Sequence, residues 1–169
     1  MVQSLLLTIV MSLFGGVQAP QMLDWTVGDT ADYKLNMGFI NGTLKMSVAE
    51  EIDKGFWVHQ DISVMGQQQK AEALFDKNTG ELLELRVNGE KQDLPDPGNQ
   101  EIVETKGTTV TVPAGTFDCL YAKIRDTDKN EESEAWINPD LIPIMGMLKQ
   151  VAPGQFGKMT LELTAFRKQ

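Results

Sequence analysis

The sequence holds one histidine, His59, and one cysteine, Cys119, so nucleophilic or general-base chemistry of the usual kind has to be built around them. A Ser-His-Asp or Cys-His arrangement needs His59 as its base. No Gly-x-Ser-x-Gly turn offers a serine to it. His59 falls on the wet parity of an alternating stretch, beside Trp57 and Asp61, where a plain surface histidine is the simpler reading. Cys119 stands between Asp118 and Leu120, with no basic neighbour to lower its pKa, which suits a structural thiol. One His and one Cys cannot make the ligand sets zinc prefers. Asp126-Thr127-Asp128-Lys129-Asn130 imitates the opening of a calcium loop. Its sixth residue is Glu131 where glycine is needed, and its twelfth is Ile137 where a bidentate glutamate belongs. Twenty-four acidic residues offer many carboxylate pairs, but no spacing singles one out. Gly-rich phosphate cradles are absent. The expectation is no catalytic residue, no metal and no cofactor.

The charge balance points the same way. Fifteen basic against 24 acidic residues give −9 in 169 residues, which disfavours nucleic acid and anionic membrane surfaces as the main partner. With 41% hydrophobic and 23% charged residues, the composition is that of one globular domain. Residues 1–19 carry no charge and contain the apolar run Leu5 to Phe14, closed by Gly15-Gly16 and Val17-Gln18-Ala19. This reads as the apolar core and small-residue end of a secretory signal peptide, too short to span a bilayer. The absence of Lys and Arg before the run, and Pro20 directly after Ala19, disagree with that reading. An N-terminal core helix or strand is the alternative. The expected division is a signal peptide at 1–19 and a single β-rich domain at 20–169, periplasmic or secreted. With one cysteine the domain has no internal disulfide and must stand on its core.

Period-2 alternation dominates the rest of the chain. Leu44, Met46 and Val48 share one parity, as do Phe56, Val58, Ile62 and Val64. So do Ala71, Ala73 and Phe75, then Leu83, Leu85 and Val87, then Leu120, Ala122 and Ile124, and finally Met159, Leu161, Leu163 and Ala165. One greasy and one wet face per strand is the pattern of an antiparallel sheet covered on one side. Turn residues separate the runs: Asn41-Gly42 and Asn88-Gly89 fit type I′ hairpins, and Asp76 to Gly80 fits a longer loop closed by a left-handed glycine. Asp93 to Asn99 holds two prolines and reads as a loop, and Asp126 to Ser133 as a charged hairpin tip. Only Asn138 to Gln150 has mainly helical character, with Asn138 as cap and Pro139 in the first turn. Pro143 and Gly146 keep it short, and its apolar circumference predicts a lid or plug on the greasy face.

Two segments carry a family resemblance. Val112-Pro113-Ala114-Gly115-Thr116-Phe117-Asp118-Cys119 resembles the V-P-A-G-x-F-x-C turn of uncharacterised bacterial exported proteins. Trp136 to Lys149 is similar to their W-x-x-x-x-x-x-P-x-x-G-x-x-K segment, and Trp25 to Tyr33 to their first strand. The resemblance implies a curved antiparallel sheet or open half-barrel, broadly like the Lol-type lipoprotein carriers. With the alternation, the expected fold is mainly β, about 8–10 strands with one short apolar helical lid.

A curved sheet needs its greasy face covered, and the one lid available is short. The leading expectation is a non-enzymatic exported domain that binds a lipid, acyl chain or apolar peptide beneath that lid. Leu141, Ile144, Met145, Met147 and Leu148 are its ligand-binding residues, facing strand positions Phe56, Val58, Leu83, Leu85, Leu161 and Leu163. The alternative is an interaction or structural module of the envelope with a closed core and another envelope protein as partner. An enzyme ranks third. No nucleic acid partner and no membrane span in the mature chain are expected.

Overall fold

The computed structural model describes residues 22–96 and 98–169; the expected leader, 1–19, lies outside the described residues. Eleven strands follow one another: β1 (Thr30–Met37), β2 (Ile40–Ile52), β3 (Gly55–Val64), β4 (Gln67–Asp76), β5 (Leu82–Val87), β6 (Glu90–Gln92), β7 (Gln100–Val112), β8 (Gly115–Asp126), β9 (Glu131–Ile137), β10 (Met147–Gly154) and β11 (Gly157–Arg167). They make one sheet in the order β6-β5-β4-β3-β2-β1-β11-β10-β9-β8-β7, every pairing antiparallel. The sheet is thus two meanders, β1–β6 and β7–β11, joined along β1 and β11.

The chain forces this sheet to curl. Laid flat, ten strand spacings would set β6 and β7 about 48 Å apart. The link from Gln92 to Gln100 has eight residue steps and reaches at most about 29 Å. The hollow face so formed collects the apolar parity. Tyr33, Leu35, Leu44, Val58, Ile62, Ala73, Leu85, Leu161 and Leu163 are each at most 2% exposed and belong to one cluster.

Bulges adjust the alternation where the simple pattern fails. Leu74 pairs with Glu84 and Phe75 with Leu82, so Leu83 is the extra residue, turned outward, and Leu82 packs against the core instead. In β11, Leu163 faces Tyr33 and Ala165 faces Asp32, leaving Thr164 extra. Ala165 is therefore exposed, and Phe166 takes the inward place. Leu120 also departs from the expected face. β8 outruns β9 at the Leu120–Ile137 pair, and past that point β7 and β8 continue as a two-stranded ribbon, whose twist is larger. Phe117 and Cys119 pack against the core there and Leu120 is exposed.

Asn88-Gly89 turns as expected, with φ of 51° and 84°. Asn41-Gly42 does not: both lie within β2, and the turn falls earlier, at Gly38-Phe39. Gly42 has another reason to be glycine, since a Cβ there would lie 2.6 Å from the Ser63 carbonyl oxygen.

No helix is present among the described residues, which corrects the expected helical lid. One helical bond forms, from Ile142 N–H to the Asn138 carbonyl at 2.9 Å. It cannot propagate, because Pro143 has no N–H to continue the ladder and Ile144, Met145 and Gly146 are all left-handed, with φ of 55°, 70° and 65°. No described helix is long and apolar enough to cross a membrane.

Candidate functional site

Antiparallel order sends five hairpin turns to one end of the sheet, the upper end. The turns at 53–54, 77–81 and 113–114, and the 138–146 segment, go to the lower end. The lower end is closed. Leu23 N–H bonds the Lys77 carbonyl at 2.8 Å, and the Trp25 ring packs 6.0 Å from Phe56 and 5.4 Å from Phe75. Ala114 N–H at the β7–β8 turn bonds the Leu163 carbonyl, and Phe117 stacks edge-on to Phe166. Gly115, at φ 143°, makes that turn, as the V-P-A-G motif implied.

The segment expected to be a lid is the remaining cover. Ile144 and Leu148 are completely buried, Met147 nearly so and Met145 half-buried, while Leu141 is 42% exposed and stands apart from the other four. Ile142, unassigned in the expected site, is 1% exposed. Asn138 N–H closes the turn onto the Gly146 carbonyl at 2.8 Å, and the Tyr33 hydroxyl, inside the core, donates to the Met147 carbonyl at 3.0 Å. Left-handed backbone costs a non-glycine residue about 1–2 kcal/mol. Burial of each large aliphatic side chain returns about 1.5–3 kcal/mol, so apolar contact holds the turn in place. Of the expected strand partners, Phe56, Val58, Leu85, Leu161 and Leu163 are buried in the same cluster and Leu83 is not.

A concavity of about 410 Å³ lies elsewhere, towards the upper end between β7 and β10. Ile124, Ala135, Ala152 and Pro153 line it with Gln150, beside the charged β8–β9 turn. None of Leu141, Ile144, Met145, Met147 or Leu148 borders it. The space is mixed rather than greasy, and the plug residues Ile142, Ile144 and Leu148 are buried in the core cluster.

The residues with chemical potential do not all meet: His59, Asp61, Lys70 and Glu72 line a concavity of about 460 Å³, and Cys119 lies apart from them. His59 sits on the outer face with Nε2 3.3 Å from Glu72 Oε1. Cys119 is far from it in the sheet order, and burial followed by the Asp118 charge pushes its thiol pKa up, away from nucleophilic character. Asp126 Oδ1 accepts the N–H groups of Asp128 and Lys129, which makes the calcium-like stretch a hydrogen-bonded turn. Among the described residues no group of three His, Cys, Asp or Glu converges on a metal position.

Sequence reasoning missed two features. Gln60 is fully buried on the hollow face between Val58 and Ile62, and neither side-chain polar atom finds a partner among the described residues. The signal was a glutamine on the apolar parity of Phe56, Val58, Ile62 and Val64. The second is β7, a 13-residue edge strand with most of its residues exposed. Glu101, Glu104 and Lys106 and a bulge at Ile102–Glu104 guard its upper half in the way edges are usually blunted. Gly107 to Val112 has no charge, no proline and no bulge.

No family model matches the sequence, and no curated protein matches it. Among solved structures the chain is similar to a candidate exported protein with a YmcC-like fold from Bacteroides fragilis, at 14% identity over 88% of this chain and 100% of that one, TM-score 0.47. It is also similar to a candidate lipoprotein from Parabacteroides distasonis, at 14% identity over 89% of this chain and 100% of that one, TM-score 0.42. A third likeness is to MucB in complex with MucA(peri), at 14% identity over 86% of this chain, TM-score 0.46; the match spans 51% of the MucB chain. Likeness at this level carries no function across.

Proposed function

We propose that the protein is a non-enzymatic, exported module of the bacterial envelope that binds a partner protein by taking an extended segment of it as an added strand on β7. The observation that carries this reading is the run Gly107 to Val112, an uncharged, unbulged edge on a long exposed strand. Unpaired N–H and C=O groups along such an edge supply main-chain hydrogen bonds, and Thr109 and Thr111 flank them as exposed side chains. The burial of Ile142, Ile144, Met147 and Leu148 against the sheet supports the same choice, because a carried lipid or acyl chain would have to displace them. Export rests on the uncharged apolar leader, and the non-enzymatic reading on the separation of His59 from Cys119 and on the absence of a serine elbow beside it.

The test is site-specific photocrosslinking in whole envelopes from positions 109 and 111, with position 63 on β3 as control. A discrete protein adduct from β7, absent from position 63 and lost when Thr109→Lys and Thr111→Lys add edge charges, supports the reading. Equal adducts from all positions, or none from β7, overturn it.

A second reading keeps the apolar ligand, on one specific observation: Ile144 is β-branched and Met145 bulky, yet both are left-handed in a segment held by burial. Strain of this kind favours a plug that an apolar ligand displaces. Micromolar binding of a fluorescent fatty acid, abolished by Met145→Glu with Met147→Glu, supports it; no binding by the wild type refutes it.

A further inference from the structure

The upper end of the sheet carries three adjacent two-residue hairpin turns, each with one large apolar side chain facing solvent. They are Phe39 between β1 and β2, Met65 between β3 and β4, and Phe156 between β10 and β11, at 81%, 63% and 40% exposure. In the sheet these hairpins are neighbours, and the Phe39 and Phe156 rings lie 5.8 Å apart. The flanking turns are polar: Asn88-Gly89 on one side and Asp126 to Asn130 on the other. Met65 is the more telling for its backbone. At φ 52° it occupies the left-handed place where hairpins ordinarily use Asn, Asp or Gly, so neither turn chemistry nor burial accounts for a methionine there.

Charge is arranged around the same three turns. Residues 36–44, 63–69 and 150–157 contain no charged side chain in a chain of net charge −9. The first charges behind them are Lys34, Lys45, Lys70, Lys149 and Lys158 against Asp61 alone. Even with Glu162 paired to Lys34 and Lys149, five lysines outnumber Asp61 and Glu162 in this collar, while the body behind it is strongly acidic.

We propose that this end of the sheet docks on a phospholipid bilayer, the three side chains entering the interface and the lysine collar facing headgroup phosphates. Lys158 follows Phe156 by two residues, about 7 Å of strand, which matches the depth of a headgroup layer. The hairpins satisfy their own backbone groups, so only side chains need leave water. The exposed apolar area of the three side chains is roughly 300–400 Å², well under the roughly 800 Å² per partner of a stable protein interface. A bilayer accepts so small a contact. Docking of this kind leaves the Gly107–Val112 run, in the lower half of β7, at the end of the sheet away from the membrane, and is independent of what that edge binds.

The test uses the full chain and vesicles of phosphatidylcholine with a minor share of phosphatidylglycerol. The Phe39→Ser, Phe156→Ser double variant should partition onto them at least about tenfold less than the wild type. In vesicles of brominated lipid, a Phe39→Trp variant should be quenched beyond the three native tryptophans, which reports the depth of this turn whatever the leader does. Equal partition of wild type and double variant, or no excess quenching, overturns the proposal. So does a Phe39-dependent dimer in the absence of lipid, which would make the crown a protein contact.

Discussion

Gly146→Ala tests the packing of the plug, and Gly66→Ala separates its two causes. Both glycines are left-handed, at φ 65° and 76°. A Cβ on Gly66 meets nothing within 4 Å, so the substitution there costs only the left-handed backbone, about 1–2 kcal/mol. A Cβ on Gly146 lies 2.6 Å from Pro139 Cα and 2.8 Å from Pro139 N, atoms of a rigid ring that no rotamer can move. Relief requires the turn to open, which strains the Asn138 N–H bond to the Gly146 carbonyl and the seating of Ile144 and Leu148. Overpacking of this kind adds about 1–3 kcal/mol, for a total of about 2–5 kcal/mol. With a urea slope of about 2 kcal/mol per molar, the unfolding midpoint should fall by about 1–2.5 M, against at most about 1 M for Gly66→Ala. Tryptophan fluorescence reads both curves. Equal midpoint shifts in the two variants would mean that Pro139 yields freely and that the plug is not packed as described.

Trp136→Ala should cost about 1–3 kcal/mol by denaturant unfolding, below the range for a fully buried tryptophan, because Trp136 lies half-buried on the outer face, 5.1 Å from Tyr121 and beneath Lys149. Both tyrosines should stay protonated in the native state at pH 10, read as absent tyrosinate absorbance that appears on unfolding. The Glu134 hydrogen bond holds Tyr121 up to about 12, and burial raises Tyr33 further. Glu162 supplies an acid limit. Its hydrogen bond from Lys34, then Lys149, holds its carboxyl below the ordinary 4.5. The unfolded chain therefore binds the proton first as pH falls, and the stabilisation present above about pH 4.5 is lost below it. Glu162→Gln should flatten the wild-type fall in stability between about pH 6 and pH 3; an unchanged slope would remove Glu162 from the account.

Alternation was enough to place β3, β4 and β11 as far as Leu163, because a strand covered on one face writes its burial into the parity of its residues. It failed where one residue is inserted. Nothing local to Leu82-Leu83 says which leucine the bulge will expel, and Thr164 displaces Ala165 only because Tyr33 must face Leu163 across the β1–β11 pairing. Asn41-Gly42 looked like a turn because the dipeptide suits one, yet Gly42 answers to the approach of Ser63, a neighbour 21 positions away. The plug's burial was readable from its apolar residues, and its lack of a helix from Pro143 and Gly146 taken more strictly. The site that carries the proposed function was not visible as a pattern. An edge is defined by which strand is missing beside it, and that depends on the order of the whole sheet.

That order has a consequence for how the molecule comes together. Within each meander every strand pairs with its sequence neighbour, so β1–β6 and β7–β11 close over short loops and can form independently and early. The seam between β1 and β11 joins residues about 130 apart and must wait for both. Chain connectivity between the two halves runs only through residues 93–99, at the far edges of the sheet from the seam. Cleavage there would leave two fragments with a complementary strand each, and the seam together with the seating of the plug against the first meander would have to recombine them. The protein is in that sense a covalent dimer of unlike sheets, whose interface is a row of hydrogen bonds backed by the side chains of one shared core.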